Sequence, residues 1–391
     1  MAVNLTNADK ALKTLYLDVV TEQLNKNANP LLAKIKSSSN DVWGKEVKKL
    51  AVFGVNGGIG AGSEDGNLPT ASGNNYETFT TTLKNLYGTI EISDKAIRAS
   101  ENNSGAFLNL LNAEMEGLIK SSSFNFGRML FGDGSGKLCN VGVVGGNGVF
   151  VSDLQNIVEG MMVDLRYPDG THCENGVPRK VIGIDKNEKV VILSGGDISD
   201  ALTPPLMLTV QGSYNKEITG LKALFDDEKT TIYGVQKGVY DWLKPYKKEL
   251  NGEISESEIQ IALDSIEERS GSSVNFIVCS WGVRRALINL FAKNKRIIDV
   301  MNLEGGFKAL SYNGIPIVAD RFCPEGTMYL LNTDDFTMHQ LCDWQWLSDD
   351  DGRVLKQVPG KPVYTATLVK YADMICDKPC GQGMISGITE E

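Results

Sequence analysis

Histidine is almost missing from this chain: His172 and His339 are the only two. Neither has a nucleophile or second base close by in sequence, which speaks against a histidine-centred catalytic or metal cluster. Long apolar runs are missing as well. None reaches the ~18 residues of a membrane-spanning helix, so no membrane span is expected. The opening residues, Met1-Ala2-Val3-Asn4-Leu5-Thr6-Asn7, lack the basic region and apolar run of a secretory signal. Positive charge is in deficit, with 39 Lys and Arg against 49 Asp and Glu and a net charge of −10. A protein that grips nucleic acid by its phosphates draws affinity from Lys and Arg through counterion release. An acidic chain is a poor reader of nucleic acid, yet a suitable wall around it. A disulfide framework is lacking too, since the seven cysteines are odd in number and scattered. Only Cys376 and Cys380 lie close together, and two thiols lack the other ligands of a structural zinc site. Free thiols in a reducing cytoplasm are expected.

What is present suits an ordered chain of two or three packed units, since 391 residues exceed one small core. Over residues 8–25, Leu12, Leu15, Val19 and Leu24, with Tyr16 and Val20 beside them, form a helical stripe. Asn7 can cap it and Asn29-Pro30 marks its end. Residues 45–55 turn strand-like. About twenty residues follow with almost nothing for a core, including Gly54, Gly57, Gly58, Gly60, Gly62 and Gly66. A strand pattern resumes over 76–93, from Tyr76 and Phe79 to Ile90 and Ile92. The simplest reading is a long two-stranded arm with a flexible, glycine-rich tip. An isolated ribbon of that kind is marginal in water, so it is expected to rest on a neighbouring molecule.

The clearest helix covers residues 104–131, where Phe107, Leu110, Leu111, Met115, Leu118, Ile119, Phe126, Met129 and Leu130 fit a 3.6-residue period. It would run roughly 40 Å, with Ser121-Ser122-Ser123 as a place to kink or divide. Residues 140–215 are rich in Gly, Val, Ile and Thr, with turn signals at Pro168-Asp169-Gly170, Asn175-Gly176 and Gly195-Gly196. That spacing suggests a small inserted β-barrel or sandwich. Further on, Ser255-Glu256-Ser257-Glu258 reads as a capping box for a helix bearing Ile259, Leu263 and Ile266. A buried strand at 274–279 precedes a helix from Trp281 to about Lys293, and Asn313-Gly314 reads as a tight hairpin turn. Strands at 327–332, 336–346 and 363–375 close the chain. Strands and helices fall in separate runs, so the class is α+β.

Several motifs imitate chemistry. Gly54-Val-Asn-Gly57-Gly58-Ile-Gly60 has the spacing of a dinucleotide loop, but the residues after it cannot begin the helix whose N-terminus holds a pyrophosphate. Tyr240 and Lys244 have a dehydrogenase-like spacing, with Pro245 ending any helix at once. Gly132-Asp133-Gly134-Ser135-Gly136-Lys137 resembles a phosphate loop, yet Phe131 and Leu138 stand where a glycine and a hydroxyl are required. Asp349-Asp350-Asp351-Gly352 lacks the alternating oxygens and distal Glu of a calcium loop. Trp344 and Trp346 alternate on one strand and face the same side, which fits core packing or a subunit contact. No catalytic, cofactor-binding or metal-binding residue is expected, and no enzyme.

In this order, the segments resemble the tailed-phage major capsid proteins of the Hong Kong 97 type. The resemblance rests on the arm, the hairpin around residues 54–75, the spine helix 104–131 with its terminator Leu130-Phe131-Gly132-Asp133-Gly134-Ser135-Gly136, and Gly314-Ile315-Pro316-Ile317-Val318-Ala319-Asp320 leading to Gly326-Thr327-Met328-Tyr329-Leu330-Leu331. It implies an N-terminal arm (1–44), an extended loop hairpin (45–93), a peripheral domain with the spine helix (94–139), an inserted β-barrel-like domain (140–215), an axial domain (216–335) and a return to the peripheral and axial core (336–391). It further implies a homo-oligomer of hexamers and pentamers that encloses double-stranded DNA without sequence-specific binding, without a membrane and without a cofactor. A portal protein and a decoration protein are the partners it suggests, and the virion the location, with assembly in the host bacterial cytoplasm. The tip has no lysine for a covalent cross-link, and no room is seen for a cleaved assembly domain, so a separate scaffolding protein is expected. The residues expected at subunit contacts are Leu12, Tyr16, Trp43, Val52, Phe53, Gly57, Gly58, Gly60, Leu68, Tyr76 and Phe79. The alternatives are an encapsulin-like nanocompartment shell, a nicotinamide-dependent oxidoreductase, and a binding module in which 140–215 recognises a host surface or sugar.

Overall fold

The computed structural model describes residues 29–96, 104–173, 178–198, 205–293, 300–302, 308–348 and 354–391. The helical stripe at 8–25, with Leu12 and Tyr16, and the acidic run at 349–351 lie outside the described residues. The chain divides into two compact units: the described residues up to Phe124 together with Ala223–Glu391, and Asn125–Lys222. The class is α+β, with strands predominating.

The first unit is built on two larger sheets. One has seven strands, in the order Tyr246–Gly252, Gly383–Ile388, Met328–Leu331, Phe276–Cys279, Ile315–Ala319, Lys308–Tyr312 and Val300–Asn302. Its centre is the run Phe276–Cys279, in which all four residues are buried. This strand lies parallel to Ile315–Ala319 and antiparallel to Met328–Leu331. Two helices cover one face. Ser255 opens the first, Glu256–Ser270, by accepting from the Glu258 N–H at 3.2 Å, and Gly271 closes it in the left-handed region at φ 62°. The second is Trp281–Lys293. Their stripes, Ile259, Ala262 and Ile266 on one and Val283, Leu287 and Phe291 on the other, share a core with Ile277, Ile317, Leu330 and Ile385. Asn313 and Gly314 turn between two strands of the sheet with φ of 50° and 79°, the signature of a two-residue hairpin. The edge pair Tyr246–Gly252 and Gly383–Ile388 was not anticipated from the sequence. The second of these carries Gly383 and Gly387 among its apolar residues, which weakens a strand signal.

The other sheet has five strands. Val363–Cys376 runs through it, with Phe336–Trp346 and Lys356–Gln357 on one side and Lys84–Ser93 on the other, while Lys36–Ser38 pairs with Phe336–Trp346. Here the structure corrects the sequence reading. The pattern over 76–93 is two strands, broken at Leu83, whose N–H donates to the Lys45 carbonyl at 3.0 Å. Only Asn75–Thr82 belongs to the hairpin, and Lys84–Ser93 enters the five-stranded sheet. The long helix, Ser104–Phe131, is continuous through the three serines. It approaches this sheet at Gly88, where a Cβ would stand 2.9 Å from Leu118 Cδ1 and 3.0 Å from Ser122 Oγ. Trp344 and Trp346 are both buried within their own chain, so the core reading holds for them.

The second unit contains a closed barrel of six antiparallel strands, running Lys137–Gly145, Leu206–Val210, Met162–Arg166, Arg179–Asp185, Val190–Leu193, Gly148–Val151 and back to the first. Val141, Val149, Val163, Leu165, Val181, Val191, Leu193 and Leu208 fill it, as alternation in a small barrel requires. Beside it, Arg128 donates to the Glu217 carboxylate and, at 2.7 Å, to Asn125 Oδ1, with both charged side chains buried. A Cβ at Gly220 would lie 2.3 Å from the Met129 carbonyl, so the backbone there passes the last turn of the helix at a distance only glycine permits.

One buried acid gives the first unit a pH signature. Asp320 follows strand Ile315–Ala319, its Oδ1 accepts the Phe322 N–H at 2.9 Å, and burial pushes its carboxyl up to about 6 against that bond. A raised carboxyl pKa means the native state holds the proton longer than the unfolded chain, so stability falls as pH rises from about 4 to about 6 and the penalty is full above that. Asp320→Asn keeps the acceptor and removes the charge. We expect it to stabilise the protein at pH 7.5 by on the order of 2 kcal/mol, with the gain vanishing towards pH 4; urea midpoints of parent and variant at both pH values are the check.

Candidate assembly surface

The hairpin pairs Glu46–Phe53 with Asn75–Thr82 in an unbroken register from Glu46↔Thr82 to Phe53↔Asn75, and Val42–Trp43 adds a short third strand. Alternation then gives this small sheet two faces. The inner face carries Val47, Lys49, Ala51, Phe53, Glu77, Phe79 and Thr81. The outer face carries Glu46, Lys48, Leu50, Val52, Tyr76, Thr78 and Thr80, with Trp43 opposite Glu46.

The inner face is clasped by the hairpin's own chain. The Trp242 indole stacks on Phe53 at 5.3 Å and on Phe79 at 5.5 Å, Tyr233 meets Phe79 at 5.3 Å, and Tyr240 meets Phe53 edge-on at 5.2 Å. The Tyr240 hydroxyl donates to the Glu77 carboxylate, and this bond raises the pKa of the phenol. The Thr80 N–H donates to the Tyr233 carbonyl at 2.8 Å. Lys49 pairs with Asp377 at 2.7 Å, and the Thr81 hydroxyl donates to buried Asp373. Beneath them His339 is fully enclosed, 4.0 Å from Asp41; burial first, and then Lys49, hold its pKa below the usual imidazole value.

Among the described residues the outer face has no such cover. Trp43 is 80% exposed, Val52 63%, Leu50 58% and Tyr76 52%. Beyond the strands, Val55, Ile59 and Leu68 are exposed on the loop between Phe53 and Asn75. The loop is more ordered than its glycines suggest. Asn56 Nδ2 donates to Asn74 Oδ1 at 3.0 Å, Asn75 Nδ2 to the Val55 carbonyl at 3.1 Å, and the Gly58 N–H to Asn56 Oδ1 at 2.9 Å. Gly57 and Gly58 pass close to Ser72, and Gly60 close to Pro69. These glycines let two legs of chain run side by side.

Of the residues expected at contacts, Trp43, Val52, Leu68 and Tyr76 stand exposed on this surface, and Gly57, Gly58 and Gly60 shape its tip. Phe79 is a correction. Its side chain is wholly enclosed by its own chain, so it holds the hairpin down rather than meeting a neighbour. Phe53 is half-buried in the same clasp. Leu50 was overlooked, although it shares the strand parity of Val52. Trp242, Tyr240 and Tyr233 were overlooked as anchors, because nothing local in the sequence ties them to Phe53 and Phe79, 154 to 189 positions away.

The motifs that imitate chemistry sit in other settings. No helix follows the glycines at 54–60; the next element is strand Asn75–Thr82. Tyr240 and Lys244 flank a single turn of 3-10 helix, Asp241–Leu243. Asp133 Oδ1 caps the Ser135 N–H at 2.8 Å just past the long helix. All seven cysteines are free. Among the described residues no cluster of three or more His, Cys, Asp or Glu is placed to hold a metal ion, and no helix is long and apolar enough to cross a membrane.

No family model matches the sequence, and neither does any curated protein. Solved structures do. The chain is similar to a protein of the cyanophage A-1(L) capsid asymmetric unit, with a TM-score of 0.56 at 12% identity, over 94% of this chain and 92% of that one. It is similar to a protein of the capsid of an empty GTA particle, with a TM-score of 0.50 at 10% identity, over 93% and 90%. The SrpI encapsulin of Synechococcus elongatus PCC 7942 gives 0.46 at 9% identity, over 92% and 88%. The chain has the fold of the phage capsid proteins, of the Hong Kong 97 type, along nearly its whole length.

The Trp242 ring touches both hairpin strands, so Trp242→Ala should loosen the hairpin by on the order of 2–3 kcal/mol, less than the ~3–5 of a fully enclosed ring. Amide hydrogen exchange should quicken across Glu46–Phe53 and Asn75–Thr82 and stay unchanged in Phe276–Cys279.

Proposed function

We propose that this chain is a major capsid protein, which self-assembles into the icosahedral shell around the double-stranded DNA genome of a tailed phage or prophage. One observation carries the reading. In a chain with the capsid fold, a hairpin fastened on one face leaves Trp43, Leu50, Val52 and Tyr76 bare on the other. A contiguous apolar face of this kind, rimmed by polar residues, marks a contact surface. The partner is a sister copy. A patch on one copy that meets a different patch on the next makes a heterologous contact, and such contacts close into rings, here hexamers and pentamers.

On this reading, residues 1–44 are the N-terminal arm, 45–93 the extended loop, 94–139 the peripheral domain with its spine helix, 140–215 an inserted β domain, 216–335 the axial domain, and 336–391 the return to the core. The contacts run through Trp43, Val52, Leu68, Tyr76 and the glycine-shaped tip. The shell is the chain's place in the virion. A separate scaffolding protein guides assembly in the host cytoplasm, a portal protein occupies one vertex, and a decoration protein adds to the outside. The acidic chain encloses DNA without reading its sequence, and the reading assigns it no catalytic step.

Deleting residues 57–74 tests this. The variant is expected to stay soluble, with a circular dichroism spectrum close to the parent's, and to form no shells by negative-stain microscopy under conditions where the parent does. Normal particles from the deletion would sink the reading.

A further inference from the structure

The polar fastenings of the hairpin surround a group that none of them uses. His339 is wholly buried, and neither of its ring nitrogens has a hydrogen-bond partner among the described residues. Buried polar atoms are nearly always bonded. An enclosure of this kind tolerates a neutral ring and opposes a charged one. The strand that carries it, Phe336–Trp346, runs between Lys36–Ser38 and Val363–Cys376, with Ser38 and Asp373 directly opposite His339. Charge faces the ring from each neighbouring element. Asp41, in the turn before Val42–Trp43, has its carboxylate 4.0 Å from Nδ1, beyond hydrogen-bond reach. Lys49 comes from hairpin strand Glu46–Phe53 and pairs with Asp377 at 2.7 Å. Asp373 accepts the Thr81 hydroxyl and, at 3.0 Å, the Met374 N–H. The Asp335 carbonyl accepts the Asp377 N–H at 2.8 Å, and the buried Tyr233 phenol accepts the Cys376 N–H at 3.1 Å.

We propose that His339 is an acid-sensitive latch for the hairpin, and that protonating its ring releases Glu46–Phe53 and Asn75–Thr82 from their seat. An imidazolium carries two N–H donors, and here neither finds an acceptor at bonding distance among the described residues. An unpaired buried charge is costly, and two local movements relieve it. Asp41 can close on Nδ1, which draws Val42–Trp43 out of its register with Val47 and Glu46. Alternatively the hairpin lifts and admits water to the ring. The new charge also stands against Lys49 and weakens its hold on Asp377. Both movements act on the strands that the aromatic clasp holds.

The sign follows from the surroundings. Burial first, and then Lys49, hold the imidazole below its ordinary 6.5, while Asp41 and Asp377 oppose them. The seated hairpin therefore excludes a proton that the released hairpin accepts. Release becomes more favourable as pH falls below 6.5, and the effect is complete once the seated ring is itself protonated. Linkage sets the size: each unit by which the seated ring is depressed makes release about tenfold more favourable. Asp335 titrates nearby with the opposite sign, since burial raises its carboxyl to about 6 and the folded chain holds that proton more tightly. Every group of the latch belongs to one chain, so it stands independently of the shell reading.

Amide hydrogen exchange on the full chain at pH 7.5 and pH 5.0, expressed as protection relative to the free-peptide rate at each pH, tests the latch. Protection across Glu46–Phe53 and Asn75–Thr82 should drop by roughly threefold or more at the lower pH, and it should not drop in Phe276–Cys279. His339→Leu should abolish the change, and Asp335→Asn should leave it in place. Exchange of the ring C2 hydrogen, followed by mass spectrometry against pH, reads the protonation of His339 in the parent directly; half-protonation should fall below 6.5. The latch is overturned if hairpin protection is the same at both pH values, if His339→Leu shows the parent's drop, if Asp335→Asn removes it, or if His339 is half-protonated at or above 6.5. Should His339→Leu fail to fold, the parent's protection and its C2 titration decide the matter.

Discussion

Much of what this chain can do depends on an aromatic clasp. A two-stranded ribbon has too few neighbours to stay formed in water by itself. Here one indole, Trp242, lies against a phenylalanine from each strand, Phe53 and Phe79, and Tyr233 and Tyr240 close the sides. Alternation in the strands then dictates the rest. Every residue committed to the clasp puts its neighbours in sequence on the opposite face, which is why Leu50, Val52 and Tyr76 end up in solvent. A register slip of one residue would exchange the two faces. The polar fastenings, Lys49 to Asp377, Thr81 to Asp373 and the Thr80 amide to Tyr233, resist that slip because each fixes one residue to one partner.

The clasp needs a rigid base, and the two sheets of the first unit supply it. Asp373 and Asp377, which hold the hairpin, belong to or directly follow Val363–Cys376, the strand flanked on both sides in the five-stranded sheet. Nine of its fourteen residues are buried and none is exposed. The seven-stranded sheet is covered by two capped helices with well-filled stripes. Interiors packed at this density transmit a displacement instead of absorbing it, so a load on the hairpin is carried into a stiff body. The shell role proposed above would draw on that combination of a stiff body and a hairpin with one bare face.

Legibility in the sequence followed the range of the interactions involved. The helix Ser104–Phe131 was readable to its ends, because its periodicity and its glycine terminator are local. So were the Ser255 cap and the Asn313-Gly314 turn, each a matter of four residues or fewer. The break at Leu83 was missed although its trace is in the pattern. Buried positions are odd-numbered at Phe79, Thr81 and Leu83 and even-numbered at Leu86, Ile90 and Ile92, and a change of phase in a period of two means a new strand. The small β element at 140–215 was legible as turns and short apolar runs, which left barrel and sandwich both open, and the structure closes it as a barrel. Closure depends on Lys137–Gly145 pairing with Leu206–Val210, a partnership across some sixty residues. On the hairpin, Trp43, Val52 and Tyr76, expected at subunit contacts, stand exposed. Phe79 was misplaced because its partners, Tyr233 and Trp242, lie far along the chain.

The charge balance adds a constraint of its own. Copies that each carry a net charge of −10 repel one another at distances within the Debye length, about 8 Å at physiological salt. Any close contact between them must outweigh that repulsion locally, either by apolar burial or by a patch of opposite sign. The outer face of the hairpin offers the first, with one Lys and one Glu among its larger apolar residues. Repulsion spread over the whole surface and apolar burial confined to one face of the hairpin leave few favourable ways for identical copies to meet.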